Sequence, residues 1–168
     1  MTMKHILIAL VLNRPGVLAH VAGMFAARGF NIDSLAVGRT DDPTLSRMTI
    51  VVIGDDKVVE QVRKQLIKIV EVVKVQDYVG QDTVARDLML LTVACLPEKR
   101  PEMLALIEMF NAKVVDIGPK FVMVEVAGPE VKIESFIDSC RPYGIKNLVR
   151  TGTVAMPRQT QPRVKGDE

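Results

Sequence analysis

The chain spells one hydrophobic pattern twice, and that repetition limits the folds open to it. Lys4 to Leu12 is an apolar run of strand length, stopped by Asn13-Arg14-Pro15-Gly16. Pro15 holds its own backbone angle and biases Arg14 away from helix, so a turn is enforced there. Val17, Val21, Met24 and Phe25 then recur at helical spacing up to Gly29. Asn31 to Arg39 reads as a strand, Thr40-Asp41-Asp42-Pro43 as a turn, and Arg47 to Ile53 as a second extended run. Gly54-Asp55-Asp56 breaks that run and supplies a helix N-cap. Val59, Val62, Leu66 and Ile69 line one helix face, with Glu60 and Lys64 paired on another. Val72 to Tyr78 closes the unit as a strand.

After Gly80-Gln81-Asp82 the order starts again. Leu88 to Leu96 is a strand, and Pro97-Glu98-Lys99-Arg100-Pro101 leads into a helix whose buried face holds Met103, Ile107 and Phe110. Lys113 to Ile117 and Phe121 to Ala127 form a strand pair across Gly118-Pro119. Gly128-Pro129 opens a helix with Ile133, Phe136, Ile137 and Cys140 inward, and Ile145 to Val154 is the last strand. The expected fold is α+β, two tandem ferredoxin-like βαββαβ units. Their expected bounds are 1–79 and 87–156, with a linker over 80–86 and a flexible tail over 157–168.

Aromatic residues are only 4% of the 168 and Trp is absent, so both cores must be packed from aliphatic side chains. Units this small bury a limited share of their surface, and they are expected to lean on each other or on a second copy. A net charge of +2 is too small for a dedicated nucleic-acid protein, which needs concentrated positive charge. Cys95 and Cys140 sit in apolar settings and read as buried, reduced thiols. The apolar run Ile6 to Leu12 is too short to span a membrane, and no cleavage site follows it. A cytoplasmic location is expected, with no membrane or nucleic-acid partner.

Groups able to break a bond are scarce. His5 and His20 have no Cys or carboxylate at metal-ligand spacing, and both read as structural. Asp41-Asp42 and Asp55-Asp56 sit at turns, where capping explains them. There is no nucleophile elbow, phosphate loop or dinucleotide fingerprint. No catalytic residue and no metal ligand is assigned. What remains is the start of the first helix, whose amides of Val17 and Leu18 suit a carboxylate. Asn13 can donate and accept, and Gly16 allows close backbone approach. Asn31 offers a second amide and Ile32 an aliphatic surface. The two turns and the helix start are expected to gather at one end of the sheet, as a site for a small polar ligand.

These residues also carry a family resemblance. The first unit resembles an ACT domain, the amino-acid-sensing module of biosynthetic enzymes. Gly29-Phe30-Asn31-Ile32-Asp33-Ser34-Leu35, followed by the stretch from Thr40-Asp41-Asp42-Pro43 to Met48-Thr49-Ile50, closely resembles the small regulatory subunits of acetolactate synthase (acetohydroxyacid synthase). The likeness is strong over the first half of the chain and looser thereafter. It implies a non-catalytic chain that activates a large catalytic subunit and confers feedback inhibition by branched-chain amino acids, chiefly valine. It also implies that thiamine diphosphate, magnesium and FAD belong to the large subunit, and that this chain carries no cofactor. Family members bind valine between the ACT domains of two chains, so a homodimer through the first unit is implied. The positions matching the effector site are Asn13, Gly16 and Asn31. Gly38 stands where some relatives carry alanine on the second strand, which keeps space open and loosens the strand. The second unit lacks the Asn-x-Pro-Gly turn and is expected to serve subunit contact instead.

Three other readings compete. One is a stand-alone amino-acid-binding ACT module that regulates another enzyme. An RNA-binding protein on the same plan needs stacked aromatics on its central strands, and Met48 to Ile53 and Val122 to Val126 have none. A small hydrolase using Arg14 and Asn31 is the third.

Overall fold

The computed structural model describes residues 3–159. The first unit runs β1 (Met3–Leu12), α1 (Val17–Ala27), β2 (Ser34–Arg39), β3 (Leu45–Gly54), α2 (Asp56–Leu66) and β4 (Val72–Asp77). Its sheet has the order β2-β3-β1-β4, with antiparallel neighbours throughout. Alternation along β1 sends Leu7, Ala9 and Val11 to the helix side. There they meet Val17, Val21 and Phe25 of α1, and Val59, Val62 and Leu66 of α2. Ile8, on the opposite face, is also only 4% exposed, which explains why the central strand is apolar on both sides. Asp55 caps α2 as its position after Gly54 predicts, accepting the Val58 amide at 2.9 Å.

The second unit repeats the plan with β5 (Thr83–Ala94), α3 (Arg100–Met109), β6 (Lys113–Gly118), β7 (Phe121–Gly128), α4 (Glu130–Cys140) and β8 (Ile145–Arg150). Its order, β6-β7-β5-β8, is the counterpart of the first. Its core is aliphatic apart from the edge-to-face pair Phe110–Phe136, 5.2 Å between centroids. Both cysteines are buried and unpaired. Gly118 is required by space: a Cβ there would lie 2.0 Å from the Phe121 ring.

Several boundaries differ from the sequence reading. β2 starts at Ser34, so Asn31 lies in the connection before it. α2 stops at Leu66, and Ile69 reaches the core from the turn that follows. Thr83 already belongs to β5, within the segment read as a linker over 80–86. The last strand is interrupted at 151–153, where Gly152 adopts φ 85° and Thr151 turns inward to Asp87. The chain resumes as β9 (Val154–Pro157), which pairs with β5. By compactness, residues 155–159 group with residues 3–84, and Ala85–Val154 form the other unit. Of the tail over 157–168, residues 160–168 lie outside the described part. Among the described residues no helix is long and apolar enough to cross a membrane.

One buried charge holds the second unit's edge. Asp87, 3% exposed, receives Arg150 through Nε at 2.7 Å and Nη2 at 2.6 Å, while Nη1 reaches Glu134 at 2.5 Å. The Thr151 hydroxyl donates to Asp87 at 3.2 Å and accepts the Leu88 amide. Removing one partner of a buried pair leaves the other poorly compensated. Asp87→Ala is therefore expected to destabilise the second unit by about 3 kcal/mol. Urea titration followed by amide NMR of Val122 to Val126 measures it; Asp87→Asn, which keeps an acceptor for Thr151, should lose less.

Candidate functional site

The turn from β1 into α1 is pinned to the β2–β3 hairpin. The Asn13 amide donates to the Thr44 carbonyl at 2.7 Å, and Asn13 Nδ2 donates to the Pro43 carbonyl at 3.0 Å. Gly16 then takes φ 88°, a left-handed conformation that L side chains resist. A Cβ there would meet nothing within 4 Å, so the need for glycine is conformational. The first bond internal to α1 joins the His20 amide to the Gly16 carbonyl at 3.0 Å. No side chain caps this helix and its first turn holds no acid. Among the described residues, the amides of Val17, Leu18 and Ala19 have no acceptor. The other three helices carry Asp56, Glu102 and Glu130 in their first turns. The open amides and the positive end of the helix dipole suit a carboxylate.

Each residue singled out in the sequence has a definite place. Val17 buries its side chain in the core, at 3% exposure, and offers only its amide. Leu18 turns an exposed side chain outward beside the same amides. Asn13 has committed its Nδ2 to Pro43, which leaves its Oδ1 as the available acceptor. Gly38 lies exposed on the edge strand β2, opposite Arg47. Asn31 is exposed, and Ile32 packs half-buried against the first core.

Asn31 does not join the others. Helix α1 has 11 residues and carries the chain about 16 Å back from Gly16 before Asn31 is reached. Asp33, two residues on, pairs with Lys4 at 3.0 Å and donates its amide to Val51. Those partners sit near the start of β1, whereas Asn13 follows its end, and the strand of 10 residues between is about 33 Å long. The expectation that both turns share one end of the sheet is thus corrected. The helix length already held the signal, because a helix between parallel strands must return the chain to the opposite end.

Groups distant in sequence complete the surroundings. Glu71 lies beside the turn, its carbonyl accepting the Leu12 amide at 2.9 Å and its carboxylate meeting His20 Nδ1 at 3.1 Å. Its own backbone amide, then the His20 ring and the Arg14 charge, hold that carboxyl below its usual range. His5 is 1% exposed, with Asp77 at 3.5 Å and Asp56 at 3.7 Å, a neighbourhood that local spacing did not reveal. Among the described residues no group of three His, Cys, Asp or Glu could hold a metal ion.

The second unit keeps the pin and changes the turn. The Cys95 amide donates to the Lys120 carbonyl at 2.9 Å, the counterpart of the Asn13–Thr44 bond. Here a 3-10 turn, Pro97–Lys99, precedes the helix in place of a glycine turn. Arg100 Nη2 reaches the carbonyls of Gly118 at 2.8 Å and Pro119 at 3.3 Å. Glu102, in the first turn of α3, bonds to Lys99 and to the Tyr143 hydroxyl, which pushes that phenol up to about 12.

Comparison with known proteins agrees with both halves of this description. The family described as "AHAS small subunit-like ACT domain" matches residues 7–74, and "Small subunit of acetolactate synthase" matches 86–159. A probable acetolactate synthase small subunit of Archaeoglobus fulgidus is 54% identical over 93% of this chain and 98% of the relative. The chain belongs to the acetolactate synthase small subunit family. The Bacillus subtilis member is 42% identical over 99% of this chain and 97% of its own. The crystal structure of the Thermotoga maritima small subunit superposes with a TM-score of 0.86, at 40% identity, covering 93% of this chain and 98% of the other.

In this family member the pin depends on a hairpin ordered by one carboxylate. Asp42 Oδ1 accepts the Thr44 hydroxyl at 2.6 Å and the Thr44 amide at 2.8 Å, and these bonds hold its carboxyl below the ordinary 3.8. A depressed folded-state pKa means the contribution is present above the unfolded value and is lost as pH falls through the folded one. NMR titration should therefore place the Asp42 midpoint below 3.8, with Pro43–Leu45 signals moving together with it. Thr44→Val, which removes the hydroxyl, should raise that midpoint; an unchanged midpoint would show that the hydroxyl contributes nothing.

Proposed function

We propose that the chain is the non-catalytic regulatory subunit of an acetolactate synthase. It activates a catalytic large subunit and confers feedback inhibition by a branched-chain amino acid, chiefly valine. The observation that carries this reading is the uncapped start of α1 beside Asn13, in a family member whose Asn31 lies at the far end of the same unit. A site using both asparagines needs two chains, and a two-fold homodimer through the first units forms it twice.

The effector's carboxylate is received by the amides of Val17 and Leu18, across the space that Gly16 leaves open. Oδ1 of Asn13 accepts from the ammonium group. Asn31 of the partner subunit supplies the amide contact from the other side, and the aliphatic side chain rests on Leu18 and on Ile32 of the partner subunit. Gly38, on the exposed edge strand, leaves room for this approach. Binding between chains favours one arrangement of the dimer, and inhibition follows only from a difference in affinity between two states of the holoenzyme. The condensation chemistry, with thiamine diphosphate, magnesium and FAD, resides in the large subunit in the cytoplasm. The second unit, which has no glycine turn and carries Glu102 in the first turn of that helix, takes no effector and serves subunit contact. A stand-alone ACT module would bind the amino acid equally well but would activate no synthase.

Asn13→Ala removes an effector contact together with the bond to Pro43, a loss of about 1 kcal/mol in the hairpin. Gly16→Ala strains a left-handed position by about 1 kcal/mol and leaves the hairpin bonds in place. In assays with the large subunit of the same organism, each variant should raise the valine inhibition constant about tenfold or more, with activation retained. Loss of activation in both would make the turn a structural element; unchanged inhibition in both would place the effector elsewhere.

A further inference from the structure

The face of the first sheet turned away from α1 and α2 carries a groove. Its floor is the row Arg47–Leu10–Lys74, three residues side by side on β3, β1 and β4, with Ile8 and Gln76 paired in the next row. These five residues line a cleft of about 170 Å³ that contains two cations and no carboxylate. At Leu10 and Arg47 it adjoins a cleft of about 420 Å³, lined also by Arg39, Thr40, Asp41, Asp42 and Leu45.

Arg47 is the informative member. It is half-buried, and its Nη2 is held by the Tyr78 hydroxyl at 2.8 Å and the Ala155 carbonyl at 3.2 Å. Both partners are neutral. Among the described residues no carboxylate pairs with Arg47, Lys74 or Arg39. Two carboxylates stand at the groove's far end: Asp42 is already occupied by Thr44, and Asp41 makes no salt bridge with these cations among the described residues. A guanidinium that is fixed in place, partly withdrawn from water and without a counter-ion is preorganised for an anion. Lys74, about 10 Å away across two strand spacings, aims a second positive charge at the same row. The surface between them is aliphatic, supplied by Ile8 and Leu10.

We propose that this groove is a second ligand site, for a short aliphatic carboxylate, separate from the start of α1. The carboxylate lies over Leu10 between Arg47 and Lys74, and the hydrocarbon portion rests on Ile8 and Leu10. The proposal rests on the groove alone and does not depend on the reading of the α1 end.

The test is a titration of the full chain, methyl-labelled at Ile, Leu and Val, with isovalerate, which has a carboxylate and a branched chain but no ammonium. Valine and 3-methyl-2-oxobutanoate run beside it, so that the relative affinities separate an amino acid from an oxo acid as the source. Saturable shifts at the Ile8 and Leu10 methyls are expected in the wild type and equally in Gly16→Ala, which impairs the α1 end. Lys74→Met removes an exposed side chain without a partner and should weaken isovalerate about tenfold. Arg47→Met should abolish the response, with the rest of the spectrum serving as the check of folding. Absence of saturation, an unchanged affinity in Lys74→Met, or shifts confined to Val17 and Leu18 would overturn the proposal. Loss of the Val17 and Leu18 response alone would instead count against the α1 reading.

Discussion

Each half of this molecule depends on one backbone hydrogen bond between two turns. In the first unit the Asn13 amide meets the Thr44 carbonyl, and in the second the Cys95 amide meets that of Lys120. The bond fixes where the strand ends and hence where the following helix begins. A turn so fixed can be left open, since its geometry does not depend on a helix cap. The first unit uses that freedom, with Gly16 in a left-handed conformation and three amides without an acceptor. The second replaces the glycine turn with the 3-10 turn Pro97–Lys99, ties Arg100 to the hairpin carbonyls and places Glu102 in the first turn of α3. One fold thereby yields a helix start free of acids and one that carries a carboxylate.

Openness alone does not make a complete site. The start of α1 offers donors and one acceptor, Oδ1 of Asn13, while the second asparagine stands at the other end of the unit. A βαβ unit always separates the two ends of its helix in this way. In the function proposed above, such a half-site is completed when another chain brings its own far end to it. Small units bury a limited share of their surface, so in that proposal one pairing would add buried area and complete the site together.

The order of elements was legible because its signals are local. Pro15 and Gly16 mark a turn, Asp55 after Gly54 marks a cap, and apolar residues at helical spacing mark the buried helix faces. The strand order of both sheets follows from that succession. Distance becomes legible only when the helix length is read as a return to the opposite end of the sheet. Asn31 lies 15 residues after Gly16 and reads as a neighbour, yet an 11-residue helix takes it about 16 Å away. The contacts of Arg100 with Gly118 and of His5 with Asp56 and Asp77 join residues far apart in the chain. The split of the final strand at Gly152 was missed for a related reason: Thr151 turns toward Asp87, a partner 64 residues away. The cations of the outer groove were each unremarkable in sequence, and only the register of β1 with β3 and β4 aligns them.

In the proposed function two chains share each effector site, so mixing two defective chains probes the sharing itself. Asn13→Ala and Asn31→Ala chains, each impaired in valine binding on its own, are unfolded together, refolded and titrated with valine by calorimetry. In a two-fold dimer with shared sites, every mixed dimer regains one intact site, because Asn13 of one chain meets Asn31 of the other. Random pairing makes about half of the dimers mixed, so wild-type affinity at about a quarter of the wild-type stoichiometry is expected. A mixture that binds no better than either variant alone would contradict the shared site and return the effector to a single chain.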